Sequence, residues 1–185
     1  KSGHERNRKQ LSSREFSATA PSQRSRSADP TRLVAFEVLS AVAQNDSYAN
    51  LVLPSTIRAH HLDHRDAAFA TELTYGTLRS QGTYDAILAH CADRPLEKIG
   101  TTTLIVLRMG VHQLLSMRVP AHAALNQSVA LARAQIGGGP ANFVNAVLRR
   151  VSERSREDWY ARLEADAKDD TEKLALAKSH PTWIV

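Results

Sequence analysis

The sequence predicts an all-α helical bundle preceded by a disordered basic arm, and three observations carry that expectation. From Pro30 onward apolar residues recur at helical spacing, with no sustained period-two alternation. Turn-forming residues interrupt the pattern at intervals suited to helices. Leu104-Ile105-Val106-Leu107, with Met109, Val111, Leu114, Leu115 and Met117, is apolar on nearly every side of a helix, as the buried centre of a bundle must be.

Residues 1–29 contain seven serines, an Arg-Ser-Arg-Ser run at 24–27 and only Leu11 and Phe16 as large apolar side chains. Such a segment buries too little surface to offset its ordering entropy and reads as a disordered arm. Helix one spans 31–44 and stops at Asn45-Asp46. A shorter helix runs from Ser47 to His60-His61, and a third starts at Asp63, whose carboxylate suits an N-cap, and continues to Gln81. Gly82 then separates it from a short helix ending near Cys91. The apolar helix spans 101–117. Gly110 in its middle weakens it by about 1 kcal/mol relative to alanine, which points to close contact with a neighbouring helix. A sixth helix runs from 121 to 136, with Leu125, Val129, Ala132 and Ile136 inward. Gly137-Gly138-Gly139-Pro140 breaks the chain before a seventh, 141–155, whose Val144, Val147, Leu148 and Val151 share one face. A charged helical tail at 157–179 leads to Pro181. The domain division is therefore an arm at 1–29, a helical domain at 30–156 and a tail at 157–185.

The net charge of +5 is unevenly spread. Residues 1–29 hold +4, residues 30–98 hold −2, residues 99–156 hold +6 and residues 157–185 hold −3. The second basic block contains seven arginines against Glu153 alone. A single cysteine, Cys91, excludes a disulfide framework and a cysteine-based zinc module, and suits a reducing cytosol. No apolar run approaches the roughly 18 residues of a membrane span, and the N-terminus lacks a signal core. The expectation is a cytoplasmic protein with no membrane partner. The chain begins with Lys1 rather than Met, which suggests an excised piece.

Little in the sequence suggests catalysis. Cys91 lacks the organised base and oxyanion site that a nucleophile needs, and reads as a small core residue. His60-His61-Leu62-Asp63-His64 lacks the two-histidine spacing of a metal-binding helix and reads as a solvated loop. Arg108 and His112, four residues apart, read as a half-buried rim. The Gly137–Pro140 turn precedes a helix N-terminus where a phosphate could sit, but without the lysine and hydroxyl of a P-loop it reads as an interhelical turn. What remains is a surface. Asn142, Asn145, Arg149 and Arg156 lie opposite the apolar face of the seventh helix, and His122, Asn126 and Arg133 form a polar stripe on the sixth. Guanidinium and amide groups together suit phosphates and base edges, although arginine-rich helices are also commonly solvated faces.

Four ordered blocks carry a resemblance to the NusB-like fold: His64 to Arg79, Leu107 to Leu115, Val119 to Val129 and Asn142 to Arg150. They are similar in particular to the N-terminal domain of the bacterial 16S rRNA cytosine-C5 methyltransferase family called RsmB, Fmu or Sun. The resemblance implies two packed three-helix subbundles plus extra helices, with a role in engaging ribosomal RNA. It also implies a C-terminal methyltransferase domain after the Ser179–Val185 junction as partner, holding S-adenosylmethionine and two catalytic cysteines. Neither cysteine corresponds to Cys91, so no catalytic or cofactor residue is carried over to this fragment. NusB proteins grip RNA largely through arginine-rich N-terminal segments, which favours Arg24, Arg26 and Arg32. The candidate RNA-binding set is therefore these three with Arg108, Arg118, His122, Asn126, Arg133, Asn142, Asn145, Arg149 and Arg150. An aromatic content of 5% favours phosphate-led contact over base stacking. Two other readings stand beside it: a free-standing NusB-type antitermination factor, against which the tail at 157–185 counts, and a protein-interaction domain without RNA contact.

Overall fold

Pro30 opens the first helix, α1 (Pro30–Asn45), where its fixed φ suits the first turn and its missing N–H is not needed. Asp46 closes α1 in the left-handed region at φ 52°, its N–H bonded back to the Ala41 carbonyl. The computed structural model describes residues 28–179, and residues 1–27 of the sequence-predicted arm at 1–29, with Arg24 and Arg26, lie outside them. After α1 come α2 (Ala49–Ala59), α3 (His64–Arg79), α4 (Gln81–Cys91), a 3-10 turn at Leu96–Lys98, α5 (Thr101–Leu115), α6 (Ala121–Gln135), α7 (Gly138–Ser152) and α8 (Arg156–Ser179). No strand occurs among the described residues.

Helices α1, α2 and α3 pack pairwise on one another, and so do α5, α6 and α7; α4 lies on α5 and α7, and α8 rests on α4. This is the expected pair of three-helix subbundles with additional helices. Val34, Val38, Leu53 and Ala70 form a small core for the first. The larger core is organised around α5, whose Val106, Leu107, Met109 and Val111 are all buried and which also touches α1 and α3. At Gly110 α5 packs tightly on α7: a Cβ there would lie 2.4 Å from Leu148 Cδ1.

Several boundaries differ from the sequence expectation, each for a local reason. The break between α3 and α4 falls at Ser80, and Gly82 is helical, because it sits in an exposed first turn where nothing lies within 4 Å of its would-be Cβ. Likewise Gly138, Gly139 and Pro140 belong to α7. Proline is tolerated in a first turn, so the break reduces to Gly137 at φ 155°, a conformation that side chains rarely adopt. On α6 the buried positions are Ala124, Ser128, Ala130, Leu131 and Ala132, of which Ala132 was expected, whereas Leu125, Val129 and Ile136 are only partly covered. The buried face keeps Ala132 but takes in the residues before Leu125 and Val129, so that small residues fill the contact with α5 and α7.

Candidate nucleic-acid interface

From Thr101 to Ser152 there is no aspartate or glutamate, and the helices that carry this stretch are fixed from inside. Val144, Val147, Leu148 and Val151 of α7 are all 0% exposed, so the opposite face must meet solvent. Asn142, Arg149 and Arg150 are exposed and Asn145 is half-buried. Arg149 Nε donates to Asn145 Oδ1 at 3.2 Å, one turn back, which keeps the two on one stripe. On α6 and the segment before it, Arg118, His122, Asn126 and Arg133 are exposed. The short connection at Ile136-Gly137 makes α6 and α7 antiparallel, and Ala121 and Ser152 accordingly line one shallow depression. Arg133 thus lies at the same end as Asn142, and His122 and Asn126 lie at the end of Arg149 and Arg150. The result is an acid-free pair of helices that displays guanidinium, amide and imidazole groups to solvent, suited to polyanions.

Other members of the candidate set serve the fold. Arg32 is buried: its Nε donates to Gln113 Oε1 at 2.7 Å, its Nη1 to Asp29 Oδ2 at 2.7 Å, and its guanidinium lies 5.0 Å over the Phe69 ring. It ties the start of α1 to α3 and α5. The Asp29 carboxylate also accepts from the Thr31 hydroxyl. Arg108 makes a two-pronged ion pair with Asp85, at 2.7 and 2.9 Å, between α5 and α4. Arg150 divides its functions, because its Nη1 donates to the Cys91 carbonyl at the end of α4, at 2.6 Å, while the residue is exposed overall. Only a tally of charge by position suggested Arg108, and such a tally does not reveal that Asp85 answers it.

Cys91 is 3% exposed, and burial pushes its thiol up to about 11, which keeps it protonated and inert. The histidine-rich loop is shared among separate tasks: His60 Nε2 meets Glu37 Oε2 at 2.9 Å, and the Asp63 side chain caps α3 by accepting from the Asp66 N–H at 2.8 Å. His112 differs from expectation. It is 2% exposed rather than at a rim, with its Nδ1 2.5 Å from the Tyr84 hydroxyl and its Nε2 3.3 Å from Glu72 Oε1. A carboxylate only accepts, so Nε2 carries the proton and Nδ1 accepts from Tyr84. Burial holds its pKa below the ordinary 6.5, outweighing the half-exposed Glu72 carboxylate that acts in the opposite sense. The folded state therefore favours the neutral ring. Its contribution to stability is complete above pH 6.5 and is lost as pH falls through the depressed folded-state value. Urea midpoints are expected to drop as pH falls below about 6.5, and His112→Gln should flatten that slope. An equal slope in parent and variant would assign the dependence elsewhere.

Comparisons with known proteins agree with this architecture. The sequence model of the NusB family matches residues 29–153. The chain is 44% identical over 162 residues to a Mycobacterium tuberculosis protein named "Putative methyltransferase", covering 87% of this chain and 35% of that protein. It is 32% identical over 155 residues to the "Probable ribosomal RNA small subunit methyltransferase B" of Bacillus subtilis, covering 83% of this chain and 33% of that one. The chain thus spans about a third of the length of these relatives. Among solved structures, NusB of T. maritima superposes with a TM-score of 0.62 at 16% identity, over 73% of this chain and 99% of that one. A chain in a crystal structure of a plectonemic RNA supercoil gives a TM-score of 0.63 at 19% identity, over 67% of this chain and 92% of that one. Matched in sequence over its helical body and in fold by a NusB protein, the chain belongs to the NusB family.

Proposed function

We propose that this domain engages 16S ribosomal RNA and positions it for a methyltransferase domain of the same protein, which transfers a methyl group from S-adenosylmethionine to cytosine C5. The observation that carries this reading is the acid-free α6–α7 surface, whose basic and amide side chains are turned outward by a fully buried apolar face. Its relatives' names supply the methyltransferase half of the proposal. No helix among the described residues is long and apolar enough to cross a membrane, and the reading places the protein in the cytoplasm with the ribosome.

The test is binding of a 16S RNA fragment across a salt series. Arg133→Glu with Arg149→Glu is expected to weaken binding about tenfold at low salt and to lower the salt slope by about 1–2, one phosphate contact per arginine. Arg150 is left in place because it also holds the Cys91 carbonyl. If the double variant and a chain lacking residues 1–29 both bind like the parent, phosphate-led contact is wrong and the protein-interaction reading takes its place.

A further inference from the structure

The turn at Gly137–Pro140 reads in the sequence as a simple connection, but the fold surrounds it with groups that are far away in the chain. A cleft of about 430 Å³ is lined by Arg94 and Lys98 from the segment after α4, by Gly100 and Thr103 at the start of α5, and by Gly139 and Phe143 at the start of α7. Two helix N-termini therefore converge on one cleft. In α5 the first helical bond is made by the Leu104 N–H to the Gly100 carbonyl, which leaves the Thr101, Thr102 and Thr103 N–H groups without intrahelical partners. In α7 the first is from the Ala141 N–H to the Gly137 carbonyl, and Pro140 has no N–H, which leaves those of Gly138 and Gly139. Neither N-cap, Gly100 or Gly137, supplies a capping side chain, and neither first turn contains an acid. Both helices are 15 residues long, so both present the positive end of a full dipole.

Two further features point to a ligand rather than to loose ends. Thr103 is 8% exposed, lines the cleft, and its hydroxyl makes no hydrogen bond among the described residues. Arg94 is held flat, with its guanidinium carbon 4.4 Å from the Phe143 centroid and its Nε bonded to Asp93 Oδ1 at 3.0 Å. This arrangement leaves its two terminal nitrogens as unspent donors. A hydroxyl on a mostly buried threonine, two cations and two uncapped N-termini are complementary to one chemical group.

We propose that this cleft is a phosphate seat, filled by a backbone phosphate of the bound RNA. The choice of RNA as the source rests on the RNA-contact reading above, whereas the phosphate chemistry rests on the cleft alone. The seat lies at the Arg133–Asn142 end of the α6–α7 surface, so one strand that follows that surface reaches it.

Two measurements on the whole chain decide the matter. Titration with inorganic phosphate, at ionic strength held constant with chloride, is expected to shift the amide resonances of Thr101, Thr102, Thr103, Gly138 and Gly139 to saturation. Arg94→Ala with Lys98→Ala, and separately Thr103→Val, should abolish or strongly weaken those shifts without altering thermal stability. In the 16S fragment assay, Arg94→Ala with Lys98→Ala should lower affinity several-fold and the salt slope by about 1. Amide shifts with an unchanged RNA slope would support the seat but assign it to free phosphate. Absence of the shifts together with an unchanged slope would overturn the proposal. A chain that binds no RNA refutes the RNA-contact reading while the phosphate titration still judges the cleft.

Discussion

Gly76→Ala is expected to destabilise the fold by about 2–4 kcal/mol, although alanine is the better helix former by about 1 kcal/mol. A Cβ at Gly76 would lie 2.1 Å from His112 Nε2 and 2.2 Å from Cε1, far inside contact distance. The imidazole has no direction in which to retreat, because it is 2% exposed, with the Tyr84 hydroxyl at 2.5 Å on one nitrogen and Glu72 at 3.3 Å on the other. Moving the ring breaks at least one buried hydrogen bond, worth about 1–3 kcal/mol when a polar group is stranded. It also disturbs the bond that the Ser116 hydroxyl donates to the Tyr84 oxygen, which is 2.9 Å. Gly110 offers the contrast. Its would-be Cβ meets Leu148 Cδ1 at 2.4 Å, the far end of a flexible side chain, so Gly110→Ala should cost less than Gly76→Ala. Urea unfolding of both variants checks the order. Combining Gly76→Ala with His112→Ala should cost less than the sum of the single changes, because removing the ring removes the clash. Additive costs would show that the ring is not the obstacle.

That same pair shows what the sequence conveys and what it leaves out. Gly110 sits within a continuous apolar helix, so a glycine there already implies a close neighbour, and α7 supplies it. Gly76 lies among Thr74, Tyr75 and Thr77, where nothing local indicates a buried histidine from 36 positions later in the chain. Periodicity predicted the buried face of α7 because its large apolar residues are unambiguous. On α6 it found Ala132 but missed Ala124 and Ser128, because they are small and hydrophobicity does not reveal that close packing prefers them to Leu125 and Val129. The same limit applies to charge. The exposed residues of α6 and α7 were legible because no acid interrupts them. The roles of Arg32 and Arg108 were not, since their partners Gln113 and Asp85 are distant in sequence. Arg94 and Lys98 were overlooked for the reverse reason: Asp93 and Glu97 cancel them in any running sum, yet the fold turns both cations into the cleft beside α5 and α7.

Trp159→Ala is expected to cost about 3–5 kcal/mol and to release α8 from the bundle. Most of α8 is solvated, and the residues from 167 to 175 are exposed throughout. Its hold on the domain is concentrated in the first two turns, where Trp159 is 3% exposed, its indole N–H donates to the Val151 carbonyl at 2.9 Å, and Leu163 packs on the same core. Arg154 covers the ring at 5.3 Å. The other link, from His90 Nε2 to Asp166 Oδ2 at 2.8 Å, joins side chains that are 29% and 43% exposed, and an exposed pair contributes about 0–1 kcal/mol. The indole therefore outweighs the ion pair, and His90→Ala should leave α8 in place. Hydrogen exchange separates the cases: in Trp159→Ala the amides of residues 156–170 should lose protection while those of α5 keep most of theirs, because α5 is the buried centre of the larger core. Trp159→Phe should restore most of that protection, lacking only the bond to Val151. Trp159 meets α7 at Val151, on its buried face rather than on the exposed stripe, so the released variant should still bind the 16S fragment if that stripe is the RNA contact. Unchanged protection in α8 would mean that the helix is held by something other than its tryptophan. Loss of RNA binding together with α8 would move the contact from α6–α7 to the C-terminal helix.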